Sequence, residues 1–135
     1  MKTTMMMTTF PIKGKIKGIG CDILEIDRIK KSISKLGDSF LSKIFTEKEI
    51  IYCKNHKLSY RHFAGRFCGK EAIAKALGTG FGKNLSWLDI EILNDELGKP
   101  IVYLCKQRYN DLNKPKFLLS ISHCKSYATA TAIYF

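Results

Sequence analysis

The sequence predicts an α+β fold, a single domain in which a mainly antiparallel sheet packs with helices, and three observations carry that prediction. LDIEIL, NDELGKP and IVYLC follow one another from 88 to 105 as an alternating strand, a turn and a return strand, the pattern of a hairpin. FLLSIS and YATATAIYF read as two further strands joined by the short His123 to Ser126 connection. Helical periodicity occupies much of the first half and alternates with strands irregularly, which favours α+β over a doubly wound sheet. With 135 residues and 45% hydrophobic composition, the chain can bury a core of its own as one domain.

The elements follow in order. Residues 1–14, MKTTMMMTTFPIKG, read as a loose N-terminal extension, and the domain proper spans 15–135. The extension is poor in acidic residues, but its apolar run is too short and interrupted for a signal peptide. KIKGIGCDILEI is a β-branched strand interrupted by Gly18 and Gly20, and glycines there mark a bulge or the close approach of another backbone. Ile26, Ile29, Ile33 and Leu36 recur at helical spacing, and Gly37 ends the pattern. Thr46 and Glu49 form a capping box, so a helix begins near Glu47 and carries Ile50, Ile51 and Tyr52 towards the core. After the polar KNHKLSY a long helix runs from about Tyr60 to Leu77 and stops at Gly78.

Charge narrows the partners. Lys and Arg number 23 against 12 Asp and Glu, a formal net charge of +11 that steers negatively charged partners: nucleic acid, phosphorylated small molecules, anionic membranes or acidic proteins. No window approaches the roughly 18 to 20 apolar residues that span a bilayer. Five irregularly spaced cysteines argue against a secreted disulfide framework and for a reducing compartment. Cys53, His56, His62 and Cys68 suggest a zinc cluster at first sight, but no C-x2-C pair is present.

The long helix, FAGRFCGKEAIAKALGTG from 63 to 80, carries the chemistry. Phe63, Phe67 and Ala74 share the core face, while Gly65, Gly69, Ala72 and Ala76 form a stripe with almost no side chain. Two glycines within a helix cost roughly 1 kcal/mol each relative to alanine, and the stripe permits the close approach of another backbone or of a bulky ligand. Glu71 and Lys75 stand at i and i+4, the spacing of a surface ion pair worth about 0.3 to 0.5 kcal/mol. One carboxylate among Arg66, Lys70 and Lys75 also suits a phosphate ester with its divalent cation, since carboxylates hold Mg²⁺ while Arg and Lys neutralise phosphate oxygens. Mg²⁺ wants a second carboxylate, and Asp22 is the candidate; a helix N-cap or turn aspartate is the competing reading. GTGFGK at 78–83 lacks the P-loop pattern and reads either as a helix C-cap or as a backbone nest for phosphate. Ser120, Ser122 and His123 stand at a strand end without a nucleophile elbow, so His123 is read as an anion donor or proton carrier, or as a turn histidine.

Taken together, GIGCDILEIDRI, FAGRFCGKEAIAKALGTGFG, DIEILNDELGKP and SISHCKSYA resemble, in content and order, the small bacterial-type 4′-phosphopantetheinyl transferases, the holo-acyl-carrier-protein synthase group. The resemblance covers about residues 16–135 and rests on the combination of GxD, RF-x-x-KEA-x-x-KA-x-GTG and NDELGKP. It implies Mg²⁺-dependent transfer of 4′-phosphopantetheine from coenzyme A to a serine of apo acyl carrier protein, in fatty acid biosynthesis. Adenosine 3′,5′-bisphosphate is the other product it implies. It further implies a homotrimer with sites between subunits, a cytoplasmic location with an organelle-targeted form left open, and neither nucleic acid nor membrane as partner.

By the same resemblance Asp22 and Glu71 hold Mg²⁺ and Lys75 meets the coenzyme A pyrophosphate. Arg66 and His123 lie near the nucleotide phosphates, and Gly78, Thr79 and Gly80 line that pocket. Arg28 meets the acidic carrier protein, and Glu71 is the first choice of general base. Cys68-Gly69 before KEA and Cys124 after His123 depart from the usual pattern. The competing function is a small basic nucleic-acid-binding module using Tyr52, Tyr60, Phe63 and Phe67, without an RNP, KH or finger motif to support it.

Overall fold

The structure is a computed structural model describing residues 3–135, and its centre is a single long helix clasped by two three-stranded antiparallel sheets. The elements are β1 (Met5–Met7), β2 (Gly18–Glu25), α1 (Ile26–Leu36), α2 (Asp38–Ile44), α3 (Glu47–Lys54), α4 (Ser59–Leu77), β3 (Ile90–Asn94), β4 (Pro100–Cys105), α5 (Lys106–Asp111), β5 (Phe117–His123) and β6 (Tyr127–Tyr134). One sheet has the order β1-β4-β3 and the other β2-β6-β5. The α+β class and the hairpin of β3 and β4 are as the sequence predicts.

α4 sits against β2 because the glycines of β2 let it. A Cβ at Gly18 would stand 2.1 Å from the carbonyl oxygen of Ala76, and one at Gly20 would stand 2.0 Å from that of Ala72. No side chain fits there, so the two backbones touch. The small stripe of α4 completes the arrangement: Gly65 and Gly69 leave room for Ile121, Leu119 and Ile92. The stripe therefore serves the chain's own sheets, not a ligand.

Around this contact the core is continuous, from Phe45 and Phe63 through Ile73, Ile90 and Val102 to Phe117. Phe45 and Phe63 pack with ring centroids 5.0 Å apart, and Phe67 stacks on Trp87 at 4.7 Å.

Four sequence expectations need correction. The expected loose extension of residues 1–14, of which 1 and 2 lie outside the described residues, is not loose from Met5 on: Met5–Met7 pairs antiparallel with β4, and Thr8 and Thr9 are fully buried, with the Thr8 hydroxyl donating to the Val102 carbonyl. A three-residue methionine run has no alternation to betray a strand, and its pairing is entirely tertiary. α2 was not foreseen; Leu41 is buried, and Phe40 packs edge-on against Phe45 at 6.4 Å.

The capping box at Thr46 and Glu49 forms as predicted, but the helix it starts turns differently. Ile51 is exposed, whereas Glu49 and Cys53 face inward. The reason is an ion pair: Lys70 Nζ lies 2.7 Å from Glu49 Oε1 with both side chains fully buried. Lys70 is thereby removed from the phosphate-binding set. Its ammonium also donates to the carbonyls of Ile44 and Trp87, and Glu49 accepts from the amides of Thr46 and Ile92. Each charge is met, which a buried pair requires, since removing one partner of such a pair costs about 3–5 kcal/mol.

Candidate active site

The GxD aspartate lies mid-strand in β2, opposite Ala130 of β6, where the glycine-enabled contact with α4 brings it to the KEA segment. Asp22, Glu71 and Arg28 line one cavity of about 300 Å³, together with Phe40 and Phe67. Lys75 Nζ lies 3.0 Å from Asp22 Oδ1 and donates to the Cys21 carbonyl at 3.0 Å. The i, i+4 partner expected for Lys75 was Glu71; the ammonium pairs with Asp22 instead. That frees Glu71, and it also removes the N-cap reading of Asp22, since α1 begins at Ile26 after Glu25.

Burial and the negative charge of Asp22 push the Glu71 carboxyl above its ordinary range, against the pull of Lys75. The hydrogen bond that Lys75 donates to Asp22 holds its ammonium above the usual lysine value. Two half-buried carboxylates that repel one another across a cavity, beside one ammonium, form a donor set fit for a hard divalent cation. Among the described residues no group of three or more His, Cys, Asp or Glu side chains converges on a metal position. Asp22 and Glu71 would hold such a cation, with phosphate and water oxygens as its further ligands.

The turn after α4 is a helix C-cap. Gly78 adopts φ 79° and its amide donates to the Ala74 and Lys75 carbonyls. Thr79 and Gly80 are exposed one turn beyond Lys75, with the Thr79 hydroxyl donating to the Gly80 carbonyl at 3.2 Å.

Arg66 and His123 are not part of this group. Nine residues separate Arg66 from Lys75, about 14 Å along the helix and about half a turn around it. Arg66 is buried at 3% exposure, its guanidinium 4.1 Å over the Tyr52 ring and donating to Asn94 Oδ1. His123 stands exposed at the end of β5, its ring 5.9 Å from that of His62. One chain thus presents two separate clusters, a carboxylate–lysine group and an arginine–histidine group. Asn94, His56 and His62 went unassigned because nothing in the local pattern ties them to Arg66. Of the aromatics a nucleic-acid reading would use, Phe63 is buried and Phe67 is stacked on Trp87.

A family profile described as the 4'-phosphopantetheinyl transferase superfamily matches residues 18–132, the segment that supplies both clusters. The chain belongs to that superfamily. It is 54% identical over 117 residues to the holo-[acyl-carrier-protein] synthase of Protochlamydia amoebophila, covering 87% of this chain and 96% of that protein. The Helicobacter pylori holo-[acyl-carrier-protein] synthase, solved in complex with coenzyme A, superposes with a TM-score of 0.80 at 36% identity, over 87% of this chain and 99% of that one. The Bacillus anthracis synthase, in complex with CoA (3',5'-ADP), gives 0.76 at 41% identity, over 90% and 97%. The chain is accordingly an enzyme, a phosphopantetheinyl transferase of the holo-[acyl-carrier-protein] synthase type. Residues 1–14 fall outside the matched segment.

Proposed function

We propose that this phosphopantetheinyl transferase moves 4′-phosphopantetheine from coenzyme A to a serine of apo acyl carrier protein in fatty acid biosynthesis, with Mg²⁺ held by Asp22 and Glu71. The observation that carries the reading is the shared cavity of Asp22, Glu71 and Arg28, with Lys75 fastened to its rim. Bound there, Mg²⁺ would draw charge from the pyrophosphate oxygens. Lys75, anchored by Asp22 and the Cys21 carbonyl, is placed to steady the phosphate that departs with the nucleotide. Glu71, half-buried in the cavity beside Asp22, would accept the proton of the attacking serine hydroxyl. Gly78, Thr79 and Gly80 line the approach to Lys75. Arg28, exposed on α1 beside the cavity, is the cation that an acidic carrier protein meets.

The separation of Arg66 and His123 from Lys75 supports a homotrimer in which each site draws one cluster from each of two subunits. The outer face of the β2-β6-β5 sheet offers the surface for it. Ile19 and Ile23 are 68% and 67% exposed, and Ile133 and Leu118 stand in register beside Ile19. Apolar residues gathered on one sheet face mark an interface. The net charge of +11 fits an acidic protein substrate encountered in a reducing, cytoplasmic compartment.

Glu71→Gln tests the reading, because it removes a charged ligand and base while keeping volume. The variant is expected to sediment at three times the chain mass, as the wild type does, and to lose at least about 100-fold in transfer rate. Wild-type turnover would overturn the assignment of Glu71, and a monomeric wild type would overturn the shared site.

A further inference from the structure

The chain has three histidines, and the fold gathers all of them in one place. His56 follows α3, His62 lies in the first turns of α4 and His123 ends β5. The rings of His56 and His62 are tilted against each other with centroids 4.0 Å apart, His123 meets His62 edge-on at 5.9 Å, and Tyr52 closes the stack 4.6 Å from His56. The Arg66 guanidinium lies over the Tyr52 ring, and its Nε is buried without a hydrogen-bond partner.

The charged and titratable neighbours of His62 are Tyr52 and His56 from α3 and its following turn, Arg61 and Arg66 from α4, and His123 from β5. No carboxylate is among them. A second proton on His62 therefore meets only like charge, and burial adds to the cost. His62 is held down to about 4, by burial first and then by His56, Arg66, His123 and Arg61. His56 Nδ1 sits 2.8 Å from the Tyr52 carbonyl oxygen, which can only accept, so Nδ1 carries the hydrogen and Nε2 remains to take a second proton. Cationic and neutral donors crowded together without an acid make a vacancy for negative charge. A dianion entering here would supply the missing counter-charge and reverse the sign of the cost.

We propose that His56, His62 and His123, with Arg61 and Arg66, form one proton-coupled site for a phosphate monoester dianion, in which the imidazoles take up protons as the phosphate enters. The proposal rests on coenzyme A being the donor, since that molecule carries a 3′-phosphate monoester apart from its pyrophosphate. What it adds is the part played by His56 and His62 and the linkage of nucleotide affinity to pH. The sign follows from proton uptake: a ligand that raises the affinity of its site for protons binds more tightly as pH falls.

The test compares coenzyme A with dephospho-coenzyme A, which lacks only the monoester, by titration calorimetry with Mg²⁺ between pH 8 and pH 6.5 in buffers of different ionisation heat. The ratio of the two affinities is expected to rise about threefold or more as pH falls, up to the limit of tenfold per pH unit for each proton taken up. Net proton uptake is expected with coenzyme A alone. His62→Phe keeps an aromatic ring in the stack and removes its titration, so it should bind dephospho-coenzyme A as the wild type does while losing most of the rise. A ratio in the wild type that does not change with pH, or a rise in the variant equal to that of the wild type, overturns this proposal and leaves the donor reading standing. If His62→Phe fails to fold, the wild-type ratio decides alone. If neither nucleotide binds the wild type, the donor reading falls and the proposal with it.

Discussion

Lys75 shows how much one residue's partner matters. By spacing it belongs to Glu71, yet the structure gives it to Asp22 at 3.0 Å. The glycine contacts of β2 bring the strand within reach, and an aspartate there competes better than a glutamate one turn away on the same helix. The exchange leaves the Glu71 carboxyl, raised by burial and by Asp22, open to a cation rather than paired with the lysine. Lys70 is the opposite case. It stands next to Glu71 in the sequence and is typical of a phosphate-binding set, but it is fully buried on Glu49. No local pattern distinguishes the two lysines, because the difference lies in which side of the helix meets α3.

Arg28 carries a prediction at the same scale. It is exposed on α1 and lines the cavity of the two carboxylates, so an acidic partner docking on α1 would meet it at the mouth of the site. Arg28→Ala should raise KM for the carrier protein about tenfold and weaken the dependence on salt, with kcat little changed, since a rim charge acts mainly on encounter. Steady-state kinetics at two ionic strengths would show it, and an unchanged KM for the carrier would remove Arg28 from the docking surface.

Among the elements, α4 and β2 form the pair on which the site depends. Gly18 and Gly20 were legible as positions of close backbone approach, and the small stripe of α4 as a surface needing a close neighbour; each is the other's explanation. Gly20→Ala places a Cβ 2.0 Å from a backbone oxygen that cannot swing aside. Overpacking of this kind costs about 1–3 kcal/mol, and displacement of β2 would also move Asp22 from Glu71. The variant is expected to melt several degrees lower and to lose transfer activity; a melting temperature within one degree of wild type would mean that strand and helix are not held as described. α1, α3, α4 and the hairpin of β3 and β4 could be read from periodicity and caps, because their signals are local. β1 and α2 could not. Met5–Met7 is a strand only because β4 has a free edge, and Asp38–Ile44 is held by Leu41 and Phe40 meeting the core. Ile51 points outward because the buried pair of Glu49 and Lys70 fixes the rotation of α3.

For the whole molecule, the sheet that positions Asp22 on its helix side turns Ile19 and Ile23 to its outer side. The same strand therefore serves the candidate site and an apolar surface, as the proposed sharing of a site between subunits requires. The two clusters on opposite sides of α4 have the same logic. Sequence alone indicated every member of the carboxylate–lysine group, since they fall in two short motifs. The family resemblance paired Arg66 with His123, but no local pattern tied Tyr52, His56, His62 and Asn94 to them, because these come from α3 and its following turn, α4 and β3. The strong positive charge fits the acidic protein substrate proposed for it.

The central claim is that this assembly transfers phosphopantetheine to a carrier protein through a cation held by Asp22 and Glu71. Intact-protein mass spectrometry of a purified apo acyl carrier protein, incubated with the enzyme and coenzyme A, tests it most directly. The carrier is predicted to gain the mass of one phosphopantetheinyl group, to gain nothing when divalent cations are chelated, and to recover the gain when Mg²⁺ is restored. A carrier that stays unmodified with Mg²⁺ present, or one modified equally well without divalent cations, would contradict the account.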